Sequence, residues 1–283
     1  MKVLLRPNLK KKNSASCLDR TIDTLVALGA VPMLDNAFQP HVRHRDGCVF
    51  GAFEELLRRC DLLMSIGGDG TLLHTVNYAV GADKPLIGLN TGRVGFLTQM
   101  EDCEPDSLAL LVQGRYTIQN RMLLEVQVED AGEAKTFRAL NEVVISRGSH
   151  RLGEIGVYCD EKLVVRHRAD GLIFATPTGS TGYSLSAGGA VADPSLSVVL
   201  MTAICPFSTY NRSLILPPER VYCVRLEEEE AGSMDILADG DEVARVGADQ
   251  TVRVKRSETQ VRLIDLDRRD FYSNLRDKLL LRR

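Results

Sequence analysis

The sequence predicts an α/β N-terminal domain with a parallel sheet, followed by a mainly antiparallel β domain. Three observations lead to this fold class. Short apolar runs alternate with helical patterns in the first part of the chain, strand patterns dominate after residue 115, and a glycine-clustered turn joins a strand to a helix at residues 66–71. Apolar strands that alternate with helices are typical of a parallel sheet covered on both faces.

The N-terminal domain is predicted over residues 1–114. Its expected strands are Lys2–Leu5, Val31–Leu34, Leu62–Ile66 and Pro85–Leu89, and its expected helices are Ser14–Leu28, Phe53–Arg59 and Thr71–Val80. Ligands of open parallel sheets bind beyond the carboxyl ends of the strands. Two segments lie at such ends, the glycine turn and residues 90–96, so we expect the site of this domain there.

The second domain is predicted over residues 115–266, where short strand patterns are separated by turns. These strands are expected at 123–128, 137–139, 143–146, 156–159, 163–166, 172–175, 198–202, 221–226, 233–238, 243–246, 251–255 and 260–264. Such a succession is typical of an antiparallel β domain. Residues 267–283 are predicted as a C-terminal helix that packs back on the N-terminal domain, because Phe271, Leu275 and Leu279 share one helical face.

Composition and charge exclude several classes of function. The net charge is −3 with scattered Lys and Arg, which disfavours nucleic acid as a partner, and no apolar stretch is long enough to cross a membrane. The seven cysteines form an odd set without close pairs, which argues against a disulfide framework and a thiolate metal site. We therefore expect a cytoplasmic protein, with no metal held by protein side chains.

The glycine turn Gly67-Gly68-Asp69-Gly70-Thr71 is the most informative feature of the chain. Glycines allow a phosphate to approach the backbone, and the helix that follows directs free N–H groups at the same place. A carboxylate opposes a phosphate, so Asp69 needs another task, either to accept a proton or to face a cation. The turn therefore indicates phosphoryl transfer, with Arg93 as a further candidate contact for phosphate.

Other interpretations of the turn are weaker. Asp69 could simply cap the helix, although three glycines around one acid exceed what a cap needs. The chain contains no Gly-x-x-x-x-Gly-Lys-[Ser/Thr] phosphate loop and no protein-kinase motif. It also lacks a Gly-x-Gly-x-x-Gly fingerprint after its first strand, which argues against a hydride-transfer enzyme of the Rossmann type.

A second candidate segment, residues 176–190, is rich in Gly, Ser and Thr around Tyr183. A buried strand leads directly into it, which is unusual for a flexible linker. Hydroxyl groups beside a flat ring suit a nucleoside, because the ring can stack on the base while the hydroxyls bond its edge. A third candidate is the pair Asn141-Glu142, which could bind vicinal ribose hydroxyls or could be an ordinary strand-edge pair.

Taken in order, these segments resemble the NAD kinases. The family pattern contains a GGDG turn, a glycine-rich segment ending in Gly-Phe, an Asn-Glu pair, and a DG…TPTGSTxY…SxGGA stretch. Here these correspond to Gly67–Gly70, Gly88–Phe96, Asn141-Glu142 and Asp170–Ala190. The GGDG turn alone also occurs in diacylglycerol and sphingosine kinases and in phosphofructokinases, whereas the ordered set is specific.

The resemblance implies phosphorylation of the 2′-hydroxyl of the adenosine ribose of NAD, with ATP and Mg²⁺ or another divalent metal, to give NADP. It implies Asp69 as the catalytic base, a site between the two domains, and a homodimer or homotetramer. NAD would bind through Asn141, Glu142, Asp170, Thr181, Tyr183, Ser186 and Phe96. The donor phosphates would bind at Gly67, Gly68, Gly70, Thr71 and Arg93.

Two other functions remain open at this stage. A lipid or sphingoid kinase would share the GGDG turn, although the polar segment around Tyr183 argues against a lipid acceptor. A non-catalytic dinucleotide sensor would keep the pocket, although Asp69 argues against pure binding. The sequence leaves undecided ATP against polyphosphate as donor, NAD against NADH as acceptor, dimer against tetramer, and feedback by NADP or NADPH.

Overall fold

The chain divides into two compact units. The first comprises Met1–Asn120 and Val261–Arg283, and the second comprises Arg121–Gln260. The computed structural model describes residues 1–11, 13–92, 95–101, 103–130, 132–148, 154–208, 211–227, 232–247, 249–267 and 270–280. Arg93, one of the predicted phosphate contacts, lies outside these described residues.

The secondary structure follows the expected order of elements. The strands are β1 Lys2–Pro7, β2 Val31–Asp35, β3 Val49–Gly51, β4 Leu62–Gly67, β5 Leu86–Asn90, β6 Met100–Glu101, β7 Thr117–Asp130, β8 Glu133–Ala139, β9 Glu142–Arg147, β10 Glu154–Cys159, β11 Lys162–Arg168, β12 Gly171–Ala175, β13 Val199–Ile204, β14 Leu214–Leu216, β15 Tyr222–Leu226, β16 Ser233–Ala238, β17 Asp241–Gly247 and β18 Val252–Asp265. The α-helices are α1 Ser14–Ala27, α2 Phe53–Arg59, α3 Asp69–Gly81, α4 Pro105–Val112, α5 Tyr183–Ser186 and α6 Phe271–Leu275. Short 3₁₀ turns occupy Asn36–His41 and Thr178–Thr181, and a π-helical turn follows α6 at Arg276–Leu280.

The first unit is built on a parallel sheet. Its strands run side by side in the order β5, β4, β1, β2, β3, and each neighbouring pair is parallel. The end of β18 pairs with β5 through Leu263 and Leu86, also in parallel. Strand β4 lies on the opposite side of β1 from β2, so the direction of winding reverses between β1 and β4. The predicted parallel sheet is confirmed.

The core of the first unit explains why its strands read as continuous apolar runs. Every residue of β4 and β5 is buried, because helices pack on the sheet. Helix α1 contributes Cys17, Leu18, Ile22 and Leu25 to this core. The sulfur atoms of Cys17 and Cys103 are bonded as a disulfide across 86 residues of sequence, with Cα atoms 6.0 Å apart. Sequence spacing did not indicate this pair.

The second unit consists of antiparallel sheets, as predicted. One sheet has the order β14, β13, β12, β9, β16, β17, and every neighbouring pair in it is antiparallel. In the other, β11, β10, β15 and the start of β18 are antiparallel neighbours, and β7 pairs with β8 in the same sense. Side chains from both sheets form one apolar core that includes Phe174 and Tyr222, whose ring centroids are 6.1 Å apart.

Several details differ from the sequence-based expectations. Residues 251–255 and 260–264 were expected as separate strands, but they belong to the continuous strand β18. The polar residues 256–259 between the two predicted strands were interpreted as a turn, but they continue the strand without a break. Helix α3 begins at Asp69 rather than Thr71. The sequence also did not predict helices α4 and α5 or strands β3, β6 and β14.

The C-terminal helix was expected over residues 267–283, but the α-helical part is short. Helix α6 ends at Leu275, and a π-helical turn follows it. The side chain of Asp270 accepts the N–H of Ser273 at 2.9 Å and so caps the start of α6.

In the part of the chain that the structure describes, no helix has both the length and the apolar character that crossing a membrane requires.

Candidate functional site

Asp69 is the first residue of helix α3, directly after the glycines that end β4. Its carboxylate accepts three backbone N–H groups, from Phe96 at 2.6 Å, Leu97 at 3.3 Å and Thr98 at 3.2 Å. The residue before the helix is Gly68, which has no side chain, so Asp69 is not a helix cap. An ionised carboxylate has about four acceptor positions. Three N–H donors therefore orient Asp69 and leave it able to accept one more hydrogen bond.

Gly95 allows this arrangement. A Cβ atom on Gly95 would stand 1.6 Å from Oδ1 of Asp69 and 2.4 Å from Oδ2, which is impossible without moving the carboxylate. The N–H of Gly95 donates to the hydroxyl of Thr98 at 3.3 Å, which folds the segment around the acid. The glycine-rich segment after β5 is thus shaped to receive Asp69.

The glycine turn itself is tied to the loop after β1. The Thr71 hydroxyl lies 3.4 Å from the donating side-chain amide of Asn8 and 3.5 Å from the N–H of Gly68. A Cβ on Gly67 would meet that hydroxyl at 2.2 Å, whereas a Cβ on Gly70 would meet no atom within 4 Å. Packing therefore requires Gly67, while the space at Gly70 stays open beside the N–H groups that begin α3.

Phe96 belongs to the first unit. It lies next to Asp69, because its backbone N–H donates to the Asp69 carboxylate. The ammonium of Lys278 lies 4.1 Å from the centre of the Phe96 ring, which is the geometry of a cation–π contact. The C-terminal segment thus covers part of this ring.

In the second unit, Asn141 and Glu142 form a corner held by Asp239. The Asp239 carboxylate accepts the N–H groups of Leu140 and Asn141, both at 2.7 Å, and of Glu142 at 3.2 Å. On the other side, Thr176 donates its hydroxyl to the Leu140 carbonyl at 2.6 Å. The backbone of the corner is therefore fixed from two directions.

The side chains at this corner carry two acceptors without donors. Oδ1 of Asn141 and Oε2 of Glu142 are buried, and neither meets a hydrogen-bond partner among the residues that the structure describes. Oε2 faces Gly182, where a Cβ would stand 2.7 Å away. An unpaired buried acceptor costs free energy, about 1–3 kcal/mol. A ligand with two adjacent hydroxyls would satisfy both oxygens.

The charge state of Glu142 is shifted by its surroundings. Burial, and after it the negative charge of Asp239, raise the pKa of Glu142 to about 7, while the N–H of Tyr183 acts in the opposite direction. The pKa of Asp239 is also raised by burial, against the three N–H groups that favour its ionised form. Two neighbouring carboxylates with raised pKa values are typical of a binding or catalytic site.

The hydroxyl-rich segment divides into buried and accessible groups. Ser180 and Ser184 are buried and bond within the unit, Ser180 to Ala192 at 3.1 Å and Ser184 to Thr202 at 3.3 Å. Tyr183, the first residue of α5, is 45% exposed. Thr181 and Ser186 are also accessible, so the three predicted ligand contacts are the accessible members of the segment.

Asp170 lies apart from this corner within the second unit. Glu142 pairs with Ala175 across β9 and β12, so Asp170 is roughly 16 Å away along the strand. Its carboxylate forms an ion pair with the buried Arg147 at 2.6 Å. The structure brings Asn141, Glu142 and Tyr183 together but not Asp170.

Sequence reasoning assigned no role to two residues that shape these sites. Asp239 lies in an Asp-Gly-Asp turn between β16 and β17. Lys11, in the loop after β1, places its ammonium 3.0 Å from where a Cβ on Gly68 would stand. Within the described residues, no group of three or more His, Cys, Asp or Glu is placed to hold a metal ion.

Comparison with known proteins identifies the family. Models for the N-terminal and C-terminal domains of ATP-NAD kinases match residues 49–116 and 140–266. An NAD kinase of Caldanaerobacter subterraneus subsp. tengcongensis is 34% identical over 281 residues, which is 98% of both chains. The chain belongs to the NAD kinase family. A family member from Chlorobium phaeobacteroides is 39% identical over 229 residues, 80% of this chain and 79% of its own.

Solved structures of NAD and NADH kinases share the fold. Yeast NADH kinase complexed with NADH superposes with a TM-score of 0.87 at 22% identity, over 99% of this chain and 87% of the other. An NAD kinase from Archaeoglobus fulgidus in complex with ATP superposes with a TM-score of 0.73 at 26% identity, over 97% of each chain. The predicted family and fold class are confirmed, and the NAD kinase family is one of phosphotransferases.

Proposed function

We propose that this protein phosphorylates the 2′-hydroxyl of the adenosine ribose of NAD with ATP to give NADP. The observation that carries the proposal is the pair of buried acceptors at the corner, Oδ1 of Asn141 and Oε2 of Glu142, which lack donors among the described residues. Vicinal ribose hydroxyls supply two donors at adjacent positions. Binding a ribose there would remove the cost of both unpaired oxygens.

The adenine is proposed to bind beside this ribose. The exposed ring of Tyr183 offers a stacking surface, and the hydroxyls of Thr181 and Ser186 offer bonds to the edge of the base. Phe96 is a further proposed contact of the base. Asp170, at the far end of its strand, is proposed to contact the distant part of the dinucleotide, which suits an extended ligand.

Asp69 is proposed as the general base. Its remaining acceptor position would take the proton of the 2′-hydroxyl while the hydroxyl oxygen forms a bond to the γ-phosphorus. The bond between that phosphorus and the bridging oxygen to the β-phosphate breaks, and ADP leaves with the electron pair. The three N–H groups of residues 96–98 support this role by holding the carboxylate in one orientation.

The donor phosphates are proposed to bind at the glycine turn, through Gly67, Gly68, Gly70 and Thr71, with Arg93 as a further contact. The open space at Gly70 and the positive end of the α3 dipole favour an anion there. Inorganic polyphosphate would offer the same phosphate chemistry as ATP, so it is a second candidate donor.

A divalent cation such as Mg²⁺ is proposed to enter with the donor. Its chemistry would be to neutralise charge on the transferred phosphoryl group. The described residues fit a metal held mostly by phosphate oxygens and water, since they contain no cluster of three ligating side chains. Asp69 lies within the glycine turn, so among the carboxylates it is the closest in sequence to the proposed phosphate site.

Assembly and location complete the proposal. A homodimer or homotetramer is supported by large apolar side chains that are exposed on the second unit, Phe207 at 75% and Ile215 at 64%. A cytoplasmic location is proposed because five of the seven cysteines are free thiols, and the Cys17–Cys103 disulfide is the feature that argues against it.

The test is a product assay with purified protein. We expect NADP, detected with an NADP-dependent dehydrogenase, when NAD, Mg²⁺ and ATP are supplied, and we would compare NADH as acceptor and polyphosphate as donor. Phosphate transfer to diacylglycerol instead of NAD would establish a lipid kinase. Tight binding of NAD without turnover with any donor would establish a sensor and overturn the proposal.

A further inference from the structure

A row of three hydroxyl groups lies beneath the hydroxyl-rich segment of the second unit. Ser184 Oγ lies 3.3 Å from Thr202 Oγ1, and Thr202 Oγ1 lies 2.9 Å from Ser213 Oγ. Ser213 Oγ in turn lies 3.2 Å from the Met201 carbonyl oxygen. Ser184 belongs to α5, Thr202 belongs to β13, and Ser213 directly precedes β14. The row therefore connects the short helix that begins at Tyr183 to the sheet.

The chemistry of these groups determines the direction of their hydrogen bonds. Each hydroxyl has a single proton to donate. The Met201 carbonyl can only accept, so Ser213 donates its proton there. Thr202 must then donate to Ser213, and Ser184 must donate to Thr202. Thr202 is therefore needed both as an acceptor and as a donor, which a serine could replace and a valine could not.

Thr202 lies on a face of the sheet that is otherwise apolar. It stands directly opposite Ile173 of β12 and is 1% exposed. The buried cluster on this face consists of Val144, Ile173, Ala175, Ala192 and Leu200. A valine would suit such surroundings, and burying a hydroxyl costs free energy unless it is hydrogen-bonded. Packing alone therefore does not account for a threonine at this position, whereas its bond with the buried Ser184 does.

The chain that follows α5 packs closely over the same two hydroxyls. A Cβ atom on Gly189 would stand 2.3 Å from Ser184 Oγ and 2.8 Å from Thr202 Oγ1. The N–H of Gly189 donates to the Ser184 carbonyl at 2.8 Å. Backbone thus covers the pair and shields its hydrogen bond from solvent.

Helix α5 presents the groups that the proposed function assigns to adenosine. The ring of Tyr183 and the side chain of Ser186 are exposed, whereas Ser184 between them is buried. The N–H of Tyr183 faces the Glu142 carboxylate. A helix of four residues has few hydrogen bonds of its own, so side-chain anchors decide how it is held.

We propose that Thr202 is a positioning residue for NAD. By accepting the proton of Ser184, it holds α5 in the orientation in which Tyr183 and Ser186 meet the adenine. Thr202 is buried beneath α5, so it acts through Ser184 and contacts no ligand. The inference rests on the proposed function, because it takes NAD as the ligand of α5. It adds a residue of β13, below the pocket, as a determinant of affinity for NAD.

The test compares Thr202→Val, Thr202→Ser, Ser184→Ala and the double variant of Thr202→Val with Ser184→Ala. Valine keeps the shape of threonine without the hydroxyl, and serine restores the hydroxyl. The matched control is Thr21→Val on α1, which also removes a buried hydroxyl, here one bonded to the Cys17 carbonyl at 2.7 Å. Calorimetry measures Kd for NAD without a donor, and steady-state assays measure KM for NAD, KM for ATP and kcat.

We expect Thr202→Val to raise Kd and KM for NAD at least about fivefold, with kcat and KM for ATP within about twofold of the wild type. Thr202→Ser should return both NAD constants to about the wild-type values. Ser184→Ala should match Thr202→Val, and the double variant should be no weaker than either single variant, because both changes remove the same hydrogen bond. The control should leave all four constants unchanged.

Three results would overturn the inference. They are NAD constants within about twofold of the wild type in Thr202→Val, an equal rise in Thr202→Ser, and additive effects in the double variant. If Thr202→Val does not fold, Ser184→Ala decides the question by the same constants.

These readouts separate the two proposals. Binding of NAD is measured without turnover, so a wild type that forms no NADP, with variants that lose affinity for NAD, would overturn the NAD kinase proposal and keep the role of Thr202. A wild type that forms NADP, with variants that bind NAD normally, would overturn that role alone.

Discussion

The Asp239 carboxylate accepts the backbone N–H of Asn141 at 2.7 Å, across 98 residues of sequence. Two further N–H groups of the same corner, from Leu140 and Glu142, bond the same carboxylate. Asp239 therefore determines where the side chains of Asn141 and Glu142 point. It touches no reacting atom in the proposed reaction, so its role is to position the residues that bind ribose.

Asp239→Asn should weaken NAD binding more than it slows turnover. The side-chain amide would place an NH₂ group, a donor, where a carboxylate oxygen now accepts a backbone N–H. A hydrogen bond to a charged acceptor contributes about 1.5–3 kcal/mol, and this contribution would be lost. We expect KM for NAD to rise at least about tenfold, with a smaller change in kcat. Steady-state kinetics at several NAD concentrations measure both constants.

Loss of the Asp239 charge should also lower the pKa of Glu142, because repulsion from Asp239 helps to raise it. The pH at which KM for NAD changes should then move downward in Asp239→Asn, which a purely structural defect would not produce. Glu242→Gln on the same hairpin is the control, because its side chain is exposed. An unchanged KM for NAD and pH profile in Asp239→Asn would contradict the positioning role.

Glu142→Gln should change how stability depends on pH. The folded state raises the pKa of Glu142 from 4.5 to about 7, so between these values the folded protein holds a proton that the unfolded chain has released. Stability from this group is therefore present below pH 4.5 and is lost as pH rises toward 7. The loss is on the order of 3 kcal/mol.

Urea denaturation at pH 4.5, 6 and 8 measures this effect. The free energy of unfolding of the wild type should fall relative to that of Glu142→Gln as pH rises through this window. Above pH 7 the difference should level off. A difference between the two proteins that is constant from pH 4.5 to 8 would show that Glu142 titrates normally.

Asp69→Asn should lower kcat by at least about a hundredfold while NAD binding is largely kept. The amide cannot accept the proton of the ribose hydroxyl, although it still fills the same space. Turnover is followed as NADP formation, and NAD binding is measured by calorimetry. The matched control is Asp23→Asn on α1, whose carboxylate is half exposed. Near-normal turnover in Asp69→Asn would rule out Asp69 as the base.

Gly95→Ala should lower kcat at least about tenfold through Asp69. The new methyl group would overlap Oδ1 of Asp69, so the carboxylate must leave the N–H groups of residues 96–98. Gly81→Ala is the control, because a Cβ there meets no atom within 4 Å and lies at the end of α3. We expect the control to keep its activity and its Tm, and wild-type kcat in Gly95→Ala would refute the proposed coupling.

Local patterns predicted much of the fold. The apolar runs of β4 and β5 indicated buried parallel strands, and both are fully buried in the sheet. The antiparallel second unit was predicted from short strands separated by turns. Boundaries were less accurate: the start of α3 was placed two residues late, because glycines at a helix start carry no apolar signal.

The candidate site was predicted only as separate segments. The glycine turn, the pair Asn141-Glu142 and Tyr183 each stood out by residue type, but their supporting contacts did not. Asp239 and Lys11 reach their partners across long stretches of chain, and periodicity carries no information on such distances. The family resemblance made Asp170 a contact of the other end of the same dinucleotide, and strand register separates Asp170 from Glu142.

The sequence by itself determined the chemistry that this protein can offer: an acid within a glycine turn, an amide beside a carboxylate, and hydroxyls around a tyrosine. Those features depend on residue type and on near neighbours, which a linear chain shows directly. The tertiary structure alone decided which N–H groups hold Asp69, that Asp239 fixes the corner at Asn141, and that the Lys11 ammonium lies beside Gly68. Each of these depends on the pairing and winding of strands, because only a folded sheet brings distant loops to one edge.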